Sequence, residues 1–163
     1  MSQQQTSSNK GPTIGLGAII LALPIVMYFE GFVPKTYIDP VGVPTVCFGE
    51  TDKQITMQER FSREQCFVML GASLQKHAAA ISPCIKVPLQ DHEAAAVLSW
   101  GYNIGAGAAC SSTLVRLLNE GEPAAVWCHE MRKWVYAKGK KLRGLEIRRE
   151  KEEAMCLNTQ VPK

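Results

Sequence analysis

Two carboxylic acids in the N-terminal quarter of the chain are the first candidates for chemistry. Glu30 directly follows an apolar stretch, and Asp39 lies in a Pro/Gly-rich turn between two β-prone runs. A carboxyl at the C-terminal end of an apolar helix faces the negative end of the helix dipole and apolar neighbours, and both raise its pKa. A carboxyl on a polar turn stays ionised. Such a pair provides a proton donor and an anion at neutral pH.

Two carboxyls that differ in this way are the usual groups for breaking a glycosidic bond. Thr45 follows Asp39 in the second β-prone run, and we expect its hydroxyl to hold a water between the two acids. The alternative is that Glu30 is a surface residue and Asp39 forms an Asp-Pro turn. Composition alone favours this alternative.

The stretch between Gly11 and Phe29 contains no charged residue, and its length is close to the ~20 residues that cross a bilayer. Three interpretations are open: a cleaved secretory signal ending near Ala18 or Ala22, a permanent anchor, or a buried first helix. Glycine, alanine and Pro24 dilute the segment, which argues against a permanent anchor. We favour a segment that first serves as a weak membrane signal and later becomes part of the fold.

Six cysteines are spread along the chain without any CxxC pair, at Cys47, Cys66, Cys84, Cys110, Cys128 and Cys156. An even number of cysteines after an export signal predicts three disulfides, for which fifteen pairings exist. The alternative is six buried free thiols in a cytosolic protein. The three histidines are scattered and no HExxH motif occurs, so we expect no metal site. No cofactor is expected either.

The remaining pattern predicts a β-hairpin over residues 36–49, a third short strand over 50–57, and then helices. A capping box at Ser62 and Gln65 begins the first of these helices, and Ser82-Pro83 ends it. Further helices are predicted over 89–104, 111–119 with Gly121 as its cap, 123–134 with Pro123 as its first residue, and about 145–157. The predicted fold class is α+β and mainly α, a small β lobe followed by a helical bundle.

The chain has 163 residues and a formal charge of +3, from 18 basic and 15 acidic side chains. This composition excludes a disordered acidic tail, a collagen-like repeat and a many-span membrane protein. The densest basic region comprises Lys138, Lys140, Lys141, Arg143, Arg148 and Arg149. Glutamates dilute it, so we expect a solvated face with the i,i+4 pairs Arg148/Glu152 and Arg149/Glu153. The alternative is a contact surface for an anionic polymer.

Three segments together resemble the phage T4-type lysozymes. The first is Glu30-Gly-x5-Tyr37-x-Asp39-x5-Thr45-x3-Gly49, which is similar to the Glu–Asp–Thr active-site segment of that family. The second joins Tyr102-Asn-Ile-Gly105-x-Gly107 to Ser112-Thr-Leu-x-Arg-x-Leu-Asn119-x-Gly121. The third joins Trp134-x-Tyr136-x-x-Gly139 to Gly144-Leu-x-x-Arg-Arg-Glu150. The resemblance runs in order over about residues 25–157.

The resemblance implies a lysozyme-like fold and a muramidase that cleaves peptidoglycan between N-acetylmuramic acid and N-acetylglucosamine. It implies Glu30 as proton donor, Asp39 as base or nucleophile, and Thr45 as the residue that orients water. Tyr102 and Thr113 match positions that line the sugar cleft, with packing and helix capping as the alternatives. Glu50 departs from the pattern, because many relatives have histidine there, and a third carboxylate near the cleft is expected to alter the pH profile.

The N-terminus resembles the signal-arrest-release subgroup of these endolysins, which are exported as inactive, membrane-tethered enzymes and later leave the bilayer. This implies a polar leader over 1–12, a release segment over 13–29 that becomes the first helix, and a catalytic domain over 30–163. Disulfides Cys47–Cys66 and Cys128–Cys156 look like pairs of that subgroup, which leaves Cys84–Cys110.

The resemblance also implies a monomer in the host periplasm, with peptidoglycan strands and, transiently, the inner membrane as partners and no nucleic acid. The alternatives of another class are a wall-binding module without catalysis and a membrane-disrupting protein.

Overall fold

The computed structural model describes residues 14–51, 56–57 and 60–159. Its helices and strands follow one another as α1 (Leu16–Glu30), β1 (Val33–Ile38), β2 (Pro44–Cys47), α2 (Arg63–Ile81), α3 (Asp91–Ile104), α4 (Ala106–Cys110), α5 (Thr113–Asn119), α6 (Ala124–His129), β3 (Tyr136–Ala137), β4 (Lys140–Lys141) and α7 (Arg143–Cys156). Short 3-10 turns at Ser82–Cys84 and Glu130–Lys133 follow α2 and α6. The predicted α+β, mainly α, architecture is confirmed.

Helix α1 is the apolar segment of the sequence, and it packs mainly against α3. One face is buried through Ala18, Ala22 and Val26, none of which is exposed to solvent. The helix ends because Gly31 adopts a positive φ of 72°, which glycine reaches without a Cβ clash. Glu30 is therefore the last helical residue, at the point where the chain turns toward the hairpin.

The β lobe is a single antiparallel hairpin of β1 and β2, in which Tyr37 pairs with Thr45 and Ile38 with Pro44. The pairing register shifts between Val33 and Tyr37. The predicted third strand over 50–57 falls partly on 52–55, outside the described residues. Its described residues form no strand, and Glu50 makes only an isolated bridge with Val46.

The predicted helix boundaries are close to the observed ones. Ser62 and Gln65 form the expected capping box of α2, which ends one residue before Ser82. Gly121, at φ 79°, lies two residues beyond the end of α5 and donates to the carbonyl of Leu118, whereas Glu120, not Gly121, is the cap of the helix. Pro123 caps α6 instead of starting it, and α6 ends at His129 before a 3-10 turn, so the prediction of one helix through 134 is wrong.

The C-terminal part differs from the prediction in one further place. Residues 137–141, expected as a loop, form a small hairpin of β3 and β4. Lys138 and Gly139 both have positive φ and make its two-residue turn, a geometry that matches the twist of short hairpins. Helix α7 then packs along α3. Within the described residues, the hydrophobic core is centred on α3, in which every residue of 94–101 is buried.

Three disulfides join these elements. Cys47–Cys66 ties β2 to α2, Cys84–Cys110 ties the turn after α2 to the end of α4, and Cys128–Cys156 ties α6 to α7. These are the pairs that the resemblance implied, and no described cysteine is free. Cross-links of this kind stabilise mainly by restricting the unfolded chain.

Within the ranges given above, no helix combines the length and apolar character needed to span a membrane.

Candidate active site

Glu30 and Arg148 form the central contact of the site. Nη1 of Arg148 donates to Oε1 of Glu30 over 2.6 Å. The Arg148 side chain is only 4% exposed and that of Glu30 23% exposed, so water screens this pair poorly. Arg148 also lies 5.2 Å from the ring of Phe29. The C-terminal end of α1 is thus joined by charge and packing to α7.

Arg148 belongs to a buried network of charged and polar groups between α3 and α7. Its Nε donates to Glu152 over 3.0 Å, and its Nη2 donates to the carbonyl of Ser99 over 3.2 Å. Arg149 lies 2.8 Å from the other Glu152 oxygen and donates to the side chain of Asn103. Burial lowers the pKa of Arg149, because it penalises the charged form. Buried charges persist only when they are paired in this way.

This network corrects two expectations. Arg148 and Arg149 do not belong to a solvated basic face, because both are buried. The pair Arg148/Glu152 is present, but Arg149 pairs with Glu152, and Glu153 instead binds Arg132 and His129. Helical spacing alone places Arg149 near both glutamates, and packing against α3 selects between them.

A cavity of about 550 Å³ opens beside Glu30 between the hairpin, α2 and α3. Its wall carries the carboxyls Glu30 and Glu50, the phenol of Tyr102, and cationic or polar side chains of α2 and α3: Ser73, Lys76, His77 and Asn103. Paired carboxyls in a polar cleft are what glycosidic bond hydrolysis requires.

Glu50 is held by the loop that follows β2. Its Oε2 accepts from the backbone N–H of Phe48 over 2.8 Å, whereas its Oε1 is buried and has no hydrogen-bond partner. Burial raises the pKa of Glu50, and the nearby charge of Glu30 raises it further. Two backbone N–H groups oppose this rise.

Tyr102 forms the opposite wall with His77. Burial raises the pKa of Tyr102 to about 12, so the phenol keeps its proton at any physiological pH. Its ring lies 4.6 Å from the imidazole of His77, whose Nδ1 bonds the carbonyl of Ser73 over 2.9 Å. The wall therefore presents a fixed ring and a hydroxyl to the cavity.

The other predicted site residues lie elsewhere. Oδ1 of Asp39 accepts from the backbone N–H groups of Val41 and Val43, each over 2.9 Å, which fixes the carboxyl on the hairpin turn. Thr45 is 4% exposed and donates to the carbonyl of Val43 over 3.1 Å. Neither lines the cavity beside Glu30. Thr113 is an exposed residue at the start of α5, and Ser112 provides the cap of that helix.

A larger cavity of about 910 Å³ lies between α1 and the C-terminal end of α7. Its wall is formed by apolar side chains with a rim that includes Asp91, His92 and Lys151. It contains a single carboxyl and neither Glu30 nor Glu50, so the smaller cavity is the better candidate for acid chemistry.

Sequence reasoning missed Arg148 as the partner of Glu30, and it missed Asn103, Ser73 and His77 as residues near the cavity. No local pattern indicates them, because each is an ordinary helical residue until α2, α3 and α7 are packed together. For Arg148 the only signal is its i,i+4 relation to Glu152, which concerns α7 alone.

Comparisons with known proteins agree with the fold. The family described as Phage lysozyme matches residues 27–152. The SAR-endolysin of Bacteriophage PS119 is 41% identical over 128 residues, which cover 78% of this chain and 76% of that protein. The SAR-endolysin of Enterobacteria phage P21 is 38% identical over 150 residues, 88% of this chain and 90% of that one. The solved endolysin of Escherichia coli O157:H7 phage FAHEc1 superimposes with a TM-score of 0.76 at 29% identity, with both chains covered fully.

The family match covers well over half of the chain, and its range spans the hairpin, the helices of the bundle through most of α7, and the residues that line the cleft. The chain belongs to the phage lysozyme family and is a lysozyme-type glycoside hydrolase that acts on peptidoglycan.

Proposed function

We propose that this lysozyme is an endolysin that hydrolyses the β-1,4 bond between N-acetylmuramic acid and N-acetylglucosamine during host lysis. Glu30 donates a proton to the leaving oxygen, Asp39 acts as base or nucleophile, and Thr45 orients the water. The observation that carries this proposal is the placement of Glu30 in the wall of a cleft, with one oxygen bound by Arg148. The contact with Arg148 fixes the orientation of the carboxyl, and the second oxygen remains for the substrate.

Asp39 and Thr45 lie on the hairpin outside the wall of the cavity, and their hydrogen bonds leave atoms available for the proposed roles. The Asp39 carboxyl receives two backbone N–H groups through one oxygen, which leaves the other for water or a sugar carbon. The Thr45 hydroxyl uses its proton on Val43, so its oxygen can only accept from a water. Such a water would point a lone pair away from Thr45.

The test of this mechanism is the variant Glu30→Gln, compared with Glu122→Gln on the exposed loop after α5. Both are incubated with purified peptidoglycan, and products are identified by mass spectrometry and by new reducing ends. We expect loss of hydrolysis in Glu30→Gln alone, with unchanged circular dichroism. Retained hydrolysis would overturn the assignment. Wall binding by both variants without any product would support the wall-binding alternative, and cell killing by Glu30→Gln would support the membrane-disrupting one.

We further propose that the chain is exported to the host periplasm in an inactive form tethered by residues 13–29. The names of the relatives and the charge-free segment support this. So does the double character of α1, which buries Ala18, Ala22 and Val26 in the enzyme but leaves Leu16, Ile20 and Tyr28 more than half exposed. While this helix lies in lipid, Glu30 cannot reach Arg148, and the α1 face of α3 has no partner. Both consequences explain an inactive state.

Fractionation of cells tests the tether. We expect the full-length protein in the membrane fraction first and in the soluble periplasm after an uncoupler collapses the membrane potential. A shortened chain beginning near Leu23 would show a cleaved signal instead, and immediate solubility at full length would overturn the tether. The released enzyme is proposed to act as a monomer, which sedimentation velocity measures directly.

A further inference from the structure

The cleft contains a carboxyl that the proposed mechanism does not use. Glu50 lines the same cavity as Glu30, and so does Gly49, the residue that precedes Glu50. A β-carbon placed on Gly49 would lie 3.8 Å from Oε2 of Glu30, so the residue before Glu50 lies directly beside the free oxygen of the proton donor.

The hydrogen bonding of Glu50 is incomplete. One oxygen accepts from Phe48, but Oε1 is buried and unpartnered. A buried carboxylate oxygen without a donor is costly, whereas a protonated carboxyl or an arriving hydroxyl would satisfy it. This side chain is therefore arranged for exchange of a proton or for contact with a sugar, and not for stability alone.

The charged and titratable groups around Glu50 come from four described elements. Glu30 faces it from α1, Lys76 and His77 from α2, and Tyr102 from α3, while Arg148 of α7 reaches the cleft only through Glu30. Lys76 is exposed and so screened by water, and Tyr102 remains neutral. Among these groups, the charge of Glu30 is the one that acts on Glu50.

We propose that Glu50 is a positioning residue for the hydrolysis that shares the proton of the cleft with Glu30. Negative charge on one carboxyl opposes negative charge on the other, so the two titrate as a coupled pair. Negative charge on Glu50 opposes early loss of the proton from the cleft, and Glu30 delivers that proton to the leaving oxygen. Glu50 acts through Glu30 and does not itself attack the sugar. This inference rests on the proposed role of Glu30 as proton donor.

The variant Glu50→Gln tests the proposal through the pH profile of hydrolysis. An amide keeps the bond from Phe48 but removes the negative charge that opposes ionisation in the cleft. We expect the alkaline limb of the rate profile on purified peptidoglycan to move to lower pH by about half a unit or more. The acid side, where Glu50 is neutral in both proteins, should not move. Glu50→Asp, which restores the charge, should move the alkaline limb part of the way back toward its position in the parent enzyme. Glu122→Gln should leave the limb where it is in the parent.

A merely structural role predicts something different. Activity of Glu50→Gln would then fall by the same factor at every pH. If the alkaline limb of its rate profile does not move beyond the scatter between replicates, the proposal is overturned. If Glu50→Gln fails to fold, carbon-13 NMR titration of the unsubstituted protein decides, because coupled carboxyls titrate in two shared steps and independent ones in single steps. Single independent steps would overturn the proposal. Hydrolysis by Glu30→Gln would instead overturn the proposed function, so the two failures are distinguishable.

Discussion

Nη1 of Arg148 lies 2.6 Å from Oε1 of Glu30, although 118 residues separate them along the chain. This contact joins the last residue of the apolar first helix to the last helix of the bundle. Arg148 is also bound to Glu152 and to the carbonyl of Ser99, so its position does not depend on Glu30 alone. The packing of α1 against the bundle thus contributes a charge partner for Arg148 and the Glu30 wall of the cleft.

The variant Arg148→Met should destabilise the protein strongly. It leaves Glu152 with Arg149 as its only described cation and leaves Glu30 unpaired, and removal of one partner from a buried ion pair costs about 3 kcal/mol or more. Urea unfolding under oxidising conditions measures the loss. Arg116→Met is the matched control, because its i,i+4 pair with Glu120 is exposed and contributes less than about 1 kcal/mol. Equal losses in the two variants would contradict the structural role assigned to Arg148.

Glu50 should make the stability depend on pH. Burial raises the pKa of Glu50 in the folded state above its ordinary value, so the folded protein binds this proton more tightly than the unfolded chain. The corresponding stabilisation is fully present at pH values below the pKa of Glu50 in the unfolded chain. It is lost as the pH rises through the higher pKa of Glu50 in the folded protein. Glu50→Gln should therefore have the unfolding free energy of the parent at about pH 4 and a higher one at about pH 7. Thermal unfolding at both pH values measures this, and a constant difference would contradict it.

Two helical glycines should respond to alanine in opposite directions. A β-carbon on Gly101 would lie 2.5 Å from Cδ1 of Ile81, inside a fully packed core, and overpacking of this kind costs about 1–3 kcal/mol. A β-carbon on Gly71 of α2 would have no neighbour within 4 Å, so Gly71→Ala should stabilise by about 0.5–1 kcal/mol through the unfolded chain and helix propensity. Chemical denaturation measures both, and stabilisation by Gly101→Ala would contradict the packing.

The proposed tether predicts a separation between release and activity. A β-carbon on Gly15 would meet nothing within 4 Å, and Gly15 lies at the far end of α1 from Glu30, so Gly15→Leu should leave hydrolysis by purified protein unchanged. In the cell it adds apolar area to the release segment, and leaving lipid then costs about 1.5–3 kcal/mol more. We expect slower appearance in the soluble periplasm and later lysis, measured by fractionation over time. Gly15→Ser is the control of similar backbone effect without the apolar gain. Unchanged release by Gly15→Leu would contradict the tether.

The amino-acid sequence by itself determined the features that depend on local chemistry. The Ser62–Gln65 capping box, the hairpin between Ile38 and Pro44, and the break at Ser82 follow from backbone preferences that act over a few residues. The order of carboxyl, turn and hydroxyl at Glu30, Asp39 and Thr45 is likewise a local pattern, and it resembles one family closely enough to imply its chemistry.

Tertiary structure decided which of these residues share a site. The charges of α7 alternate so closely that its helical period does not identify a buried face, and only packing against Ser99 and Asn103 buries Arg148 and Arg149. The cleft likewise assembles Glu50 with Tyr102 and Glu30 from three separate parts of the chain. A sequence specifies short-range hydrogen bonds directly, whereas contacts across tens of residues exist only after hydrophobic burial has brought the helices together.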